Sequence, residues 1–294
     1  MRFDSYHPLI NLIYFVSALT FIVLFSHPVF VAIAYFGTFA YSVKLNGKKA
    51  LLFNIALIPV MIIYTAVYSM YHHFGITALF ENFAGNDMTA ESIIYGSVIS
   101  VKAASFIMMM SCVFCIFSAD KVVYLSGRIS PRLSLFVSII LRSVPRIKRA
   151  GRQINLSQKG IGRGVFQKGR TAGGPGIIRF ISIIITWILD SFVEVSVSMK
   201  SRGYLLKGRT AYSLYRFDNR DRLFVVFMSL CITITVLAEI SVISFAQYDP
   251  EIIIKSTEVS SFIYYVAYAF LLLAPMMLQI ISEKRFKKLR ASRP

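Results

Sequence analysis

The sequence predicts an all-α polytopic membrane protein, with about six transmembrane helices and two long helices on the cytoplasmic side. Three observations carry this. Of the 294 residues, 56% are hydrophobic and only 16% charged, where a soluble domain carries roughly 25% charged. Mean hydropathy is +0.65, and the Leu, Ile, Val and Phe behind it fall in runs too long and too pure for a globular core. The 32 Lys and Arg outnumber the 14 Asp and Glu, a net charge of +18, and the cations are sorted along the chain rather than spread. This composition excludes a disordered chain, a secreted disulfide scaffold and a simple soluble enzyme.

Each span needs about 20 mostly apolar residues. The first two are short, Leu9–Phe25 and Val29–Val43, and are split by Ser26-His27-Pro28. Leu51–Met70 and Ile93–Phe117 follow. After a long polar stretch come Leu223–Phe245 and Ser260–Ser282. None alternates with period two, so a strand reading does not compete.

Orientation follows from the placement of Lys and Arg. The loop after the second span, Lys44-Leu45-Asn46-Gly47-Lys48-Lys49, has three lysines and no acid, whereas Tyr71–Ser92 has Glu81, Asp87 and Glu91 and no Lys or Arg. Segment 119–222 holds 20 of the 32 basic residues against 5 acids. Residues 246–259 set Asp249, Glu251 and Glu258 against Lys255, and the tail after Ser282 has six basic residues and one acid, Glu283. Six spans with both termini cytoplasmic fit every loop. The expected organisation is four spans over 1–118, a cytoplasmic segment over 119–222, and two spans with a basic tail over 223–294, in the cell membrane. Arg2 and Asp4 make a poor n-region and no A-x-A site precedes the second run, so the first span is expected to remain as an anchor. Retention inside and attraction to the anionic leaflet account for the charge. No aromatic-interleaved platform accompanies it, so nucleic acid is not an expected partner.

Segment 119–222 contains two further apolar stretches, Leu133–Leu141 and Ile177–Met199. The second is long enough to span, but basic sequence flanks it on both sides, and it carries Asp190 and Glu194 on one helical face with Ser198. It reads as a long amphipathic helix with both ends on the cytoplasmic side, about 35 Å long. Upstream, Arg142–Lys159 is also amphipathic: Val144, Ile147, Gly151 and Ile154 share one arc, opposite Arg142, Arg146, Arg149 and Gln153. Pro131 and Pro145 should start or kink helices. Between the two helices, Gly160, Gly162, Gly164 and Gly169, then Gly173-Gly174-Pro175-Gly176, predict a hinge.

Each long helix closes on a small residue, Arg and Gly: Gly162-Arg163-Gly164, then Ser201-Arg202-Gly203 followed by Tyr204. Small neighbours let a partner approach the backbone, and a glycine can end the helix in the left-handed conformation. The arginine then projects a planar fork suited to carboxylates and carbonyl oxygens.

With these two tips and the order of spans around them, the chain resembles the transmembrane T component of energy-coupling factor (ECF) type ABC transporters, the CbiQ/EcfT-like family, over most of its length. That family carries a pair of Ala-Arg-Gly-like motifs, each at the end of a cytoplasmic coupling helix. Gly162 and Ser201 stand here where the family has alanine. The resemblance implies a non-catalytic subunit that joins two cytosolic ABC ATPase subunits to a small membrane S component, which binds the substrate. Gly162, Arg163, Gly164, Ser201, Arg202 and Gly203 would dock on the ATPases, and Gly173, Gly174, Pro175 and Gly176 would form the hinge. ATP and Mg would be bound by the ATPases, with no cofactor in this chain, for import of a vitamin or cobalt ion. The sequence has no G-x-x-x-x-G-K-[ST] phosphate loop, which agrees with that division of labour.

Other features are weighed against this. Cys112-Val113-Phe114-Cys115 lies mid-span without a second pair and reads as helix packing rather than a metal or redox site. His72-His73 are adjacent and do not share a helix face, so interfacial placement is expected. Lys102 falls inside the fourth span, where a cation is a candidate functional residue, with Glu239 a candidate partner. Pro59 and Pro275 should kink their spans. The alternatives are an integral-membrane enzyme acting on a lipid-type substrate and a stand-alone secondary carrier. The first would want carboxylates or histidines gathered at one membrane face, and the second an internal repeat or broken helices.

Overall fold

The computed structural model describes residues 3–72, 74–81, 87–162, 164, 174–204, 206, 215–241, 243–255 and 261–291. Within these the chain is an all-α polytopic membrane protein with two very small hairpins. It divides into two compact units, one of 1–118 with 215–294 and one of 119–214.

The first unit holds α1 (Pro8–Leu24), α2 (Pro28–Asn46), α3 (Lys48–Tyr71) and α4 (Ala90–Ile116). The second holds α5 (Ala119–Ile129), α6 (Pro131–Gly160) and α7 (Gly174–Ser201), and α8 (Asn219–Ile240) and α9 (Ser261–Ala291) return to the first. The starts of α1 and α2 repeat one device. His7-Pro8 and His27-Pro28 each put a proline in the first turn, and each histidine Nδ1 accepts from the backbone N–H two residues on, at 3.3 Å in both. Proline presets the helical φ where no N–H is needed, and the ring nitrogen satisfies one of the unbonded donors of the first turn. At α8, Asp218 and Asp221 cap each other's backbone reciprocally, a capping box with aspartate at its far position.

Among the described residues six helices are long and apolar enough to cross a membrane: α2, α3, α4, α8, the apolar part of α9 over Ser261–Arg285, and Gly176–Ser201 of α7. The sequence reading counts α1 as a span and keeps the α7 stretch on one side. At 17 residues α1 is a shorter apolar helix, about 26 Å, and α7 meets the length and composition of a span. Hairpins that the sequence reading did not anticipate close two loops on the expected outer side. Ala78–Glu81 (β1) pairs antiparallel with Asp87–Thr89 (β2), and Ala246–Gln247 (β3) with Ile253–Ile254 (β4).

The core of the first unit is aromatic. Phe25 stacks on Phe30 with centroids 4.4 Å apart, and Tyr268 meets Phe25 edge-on at 5.4 Å. Lower in the bundle Phe3, Tyr14 and Phe15 form edge-to-face pairs, and the Tyr14 hydroxyl donates to Leu272 O at 2.9 Å. Glycine permits close approach of α2 to α9, since a Cβ at Gly37 would lie 3.3 Å from Leu272 Cβ. By contrast, α3 buries only Ala50, Asn54 and Ser69 and exposes an apolar surface along its length. In a bilayer such a surface needs no protein cover, because the acyl chains are as apolar as the side chains.

Candidate functional site

The second unit carries the two tips. A Cβ at Gly151 of α6 would stand 3.4 Å from Ile184 of α7, with Phe180 next nearest. Five residues back along α6, Arg146 lies over the ring of Trp187, 5.6 Å from its centroid. Further back, Leu135, Phe136, Ile139 and Ile140 face Phe192, Val195 and Met199 across a groove. Residue numbers fall along α6 as they rise along α7, so the two helices are antiparallel. Their C-terminal tips therefore lie at opposite ends of the pair, and the 28 residues of α7 span about 42 Å. The indole face attracts the guanidinium, and the missing side chain at Gly151 lets the helices close together.

In the same segment the element bounds differ from those expected. Leu133–Leu141 and Arg142–Lys159 are one helix: α6 runs unbroken through Pro145. Proline removes one backbone hydrogen bond, and the helix continues through it. The helix α5 precedes it, joined so closely that the Ser134 hydroxyl donates to Val123 O at 3.0 Å. Of the expected hinge, Gly174, Pro175 and Gly176 form the first turn of α7, a position that suits proline, while Gly173 lies outside the described residues.

At the tip of α7, Gly203 has φ +74°. Its N–H bonds Lys200 O at 3.0 Å, and the Tyr204 N–H reaches back to Met199 O at 3.1 Å. This pair of bonds closes a helix with a left-handed residue and satisfies its last carbonyls. Ser201 donates its hydroxyl to Ser198 O at 2.9 Å, and Arg202 is exposed at the last position before the left-handed glycine. At the tip of α6 the left-handed residue is Gly162, φ +75°, whose N–H bonds Lys159 O at 3.1 Å. The first glycine of this tripeptide, not the last, therefore ends the helix. Gly164 is buried, and Arg163 lies outside the described residues.

Beside the second tip is an apolar cavity of about 400 Å³ lined by Phe192, Met199 and Tyr204 among others. Tyr204 thus ties the tip to the groove, a role that the tripeptide pattern alone does not reveal. Sequence reasoning also missed the Arg146–Trp187 pair. Its signal was there in the protein's single tryptophan, on a mainly apolar stretch.

In the first unit, Lys102 donates to Ser26 Oγ at 3.1 Å. Ser26 forms the corner between α1 and α2, and its carbonyl accepts from the Tyr248 hydroxyl at 2.9 Å. Lys102 is therefore level with the α1–α2 corner rather than beside the middle of those helices, because α4 extends beyond their ends. The carboxylate of its candidate partner Glu239 accepts from the Ser244 hydroxyl. Cys112 and Cys231 are buried and Cys115 exposed, all as free thiols. His72 stacks on Tyr68 at 4.0 Å, and His73 lies outside the described residues. Among the described residues no group of three or more His, Cys, Asp or Glu could hold a metal ion. Comparison with protein-family models and with curated proteins gave no match.

Proposed function

We propose that this chain is the transmembrane coupling subunit of an ECF-type ABC importer in the cell membrane, with both termini cytoplasmic. Two cytosolic ABC ATPases bind ATP and Mg, and each seats one tip of the α6–α7 pair. Their ATP-driven closure changes the angle between the two helices. The motion passes to a small membrane S component, which releases its vitamin or cobalt ion inside.

The observation that carries this reading is the antiparallel pair itself. It places two basic, glycine-closed helix ends about 40 Å apart, a spacing suited to two separate globular subunits and not to one binding pocket. The aromatic core supports the same reading over a stand-alone carrier, which needs a polar site near mid-membrane. The core of the first unit is instead mainly aromatic, with Tyr14, Phe15, Phe21 and Tyr268 each buried.

The test is co-expression with the products of the neighbouring genes, purification in mild detergent, and assay of ATP hydrolysis in the purified complex. A parallel sample carries Arg163→Glu with Arg202→Glu. Copurification of ABC ATPases with the native chain and their loss from the double variant is the expected result. Absence of ATPases from the native chain, or their retention by the variant, rejects the docking role.

A further inference from the structure

Three side chains of the first unit, on α1, α2 and α9, bring unpartnered polar atoms into its core. On α2, Gly37 faces Leu272 of α9, where an added Cβ would lie 3.3 Å from the leucine Cβ, and Lys44 pairs with Glu283 of α9 at 2.7 Å. Tyr41 stands between them, four residues past Gly37 and three before Lys44, so it shares their face and looks onto α9. On α9, Gln279 stands seven residues past Leu272 and four before Glu283, so it looks back at α2. The third helix joins through Tyr14, whose hydroxyl donates to Leu272 O. Asn11 lies one turn before Tyr14 on α1, toward the end of the unit that carries Lys44. Asn11 and Tyr41 are fully buried and Gln279 nearly so. Yet Asn11 Nδ2 and Oδ1, the Tyr41 hydroxyl and Gln279 Oε1 have no hydrogen-bond partner among the described residues.

We propose that Asn11, Tyr41 and Gln279 hold internal water that bridges α1, α2 and α9. The chemistry selects the ligand. Gln279 Oε1 and Asn11 Oδ1 need a donor, and Asn11 Nδ2 needs an acceptor. A metal cation cannot accept from the amide, and a simple anion cannot donate to the two carbonyl oxygens. Water does both. Leaving such atoms dry in a core forfeits their hydration in full, and buried water is the usual remedy for groups of this kind. Gln279 also marks the way in, because its Nε2 donates to Glu283 Oε1 at 3.2 Å and the Glu283 side chain is 46% exposed. Polar groups therefore lead from the surface to the buried set. The Tyr268 hydroxyl is unpartnered as well, but it lies on the other side of Leu272, on a ring packed against Phe21, Phe25 and Phe30.

The experiment uses the full chain in lipid nanodiscs. A synchrotron X-ray pulse splits water into hydroxyl radicals where the water sits, and oxidation of nearby side chains is read by mass spectrometry. Phe30, equally buried on α2 and packed against Phe25, Tyr265 and Tyr268, is the dry reference. Tyr41 should be oxidised at least tenfold faster than Phe30, and a smaller ratio overturns the proposal. Tyr41→Phe deletes the hydroxyl alone and should lower the Tm, because it breaks a bond to water. An unchanged or raised Tm overturns the proposal too, since removing a hydroxyl that binds nothing relieves the core.

Discussion

Gly203 has φ +74° and Gly162 has φ +75°, a left-handed conformation that costs an L-residue roughly 1–2 kcal/mol. The Leu206 methyl that an added Cβ at Gly203 would approach belongs to an exposed side chain that can turn away. Gly203→Ala and Gly162→Ala should therefore each lower thermal stability in detergent by about that amount, and an unchanged Tm in either would contradict this account. Tyr248 sits in the loop between α8 and α9, and burial pushes its hydroxyl up to about 12. An unfolded tyrosine ionises near pH 10, so folding disfavours the phenolate. The stabilisation is complete below about pH 10 and is lost as pH rises from about 10 to 12. Tyr248→Phe should cost about 1 kcal/mol at neutral pH, the worth of its bond to Ser26 O, and should flatten part of the alkaline decline. An unchanged decline in unfolding scans at pH 7 and 11 would count against it. Such details are hard to read from sequence. The tripeptides were visible as Arg-Gly pairs, but which glycine adopts the left-handed conformation depends on where the last helical bond forms.

Among the elements, the α6–α7 pair is the most exposed to test, because Trp187 is the protein's single tryptophan and lies at the crossing. Gly151→Leu must force the helices apart, at about 1–3 kcal/mol for an overpacked contact. It should shift the emission of Trp187 to the red as water reaches the indole. Arg146→Ala should cost about 0.5–1 kcal/mol and change the emission intensity without separating the helices. If both variants leave the spectrum of the native protein, the pairing is wrong. Helices were legible in the sequence wherever apolar runs were long: the start of α3 and the end of α4 each fall within three residues of the expectation. The errors came where one signal masked another. Pro145 and the change from an aliphatic to a basic run concealed that α6 is continuous. Strands of two to four residues are too short to show an alternating pattern. The short helix α5, Ala119–Ile129, has too few apolar residues to announce itself as a span.

For the whole molecule, the distribution of Lys and Arg makes a topological prediction that α7 sharpens. Single cysteines at Lys48, Ile76, Leu206 and Glu251, in a background without Cys112, Cys115 and Cys231, can be probed in intact cells with an impermeant maleimide. Ile76 and Glu251 should label, and Lys48 and Leu206 should label only after permeabilisation. Labelling of Leu206 from outside would mean that α7, which is long and apolar enough to cross, does so.

The crossing near Gly151 and Ile184 also divides the two helices unequally. From Gly151 to the end of α6 at Gly160 is about 14 Å, and from Ile184 to the end of α7 at Ser201 about 26 Å. The pair is therefore a lever with a short arm and a long one. A given rotation about the crossing sweeps the tip bearing Arg202 through nearly twice the arc of the tip bearing Gly162. Under the coupling role proposed above, equal closing strokes at the two ends would not be absorbed by rotation alone, and part of each would become sliding of one helix along the other, against the glycine that lets them touch.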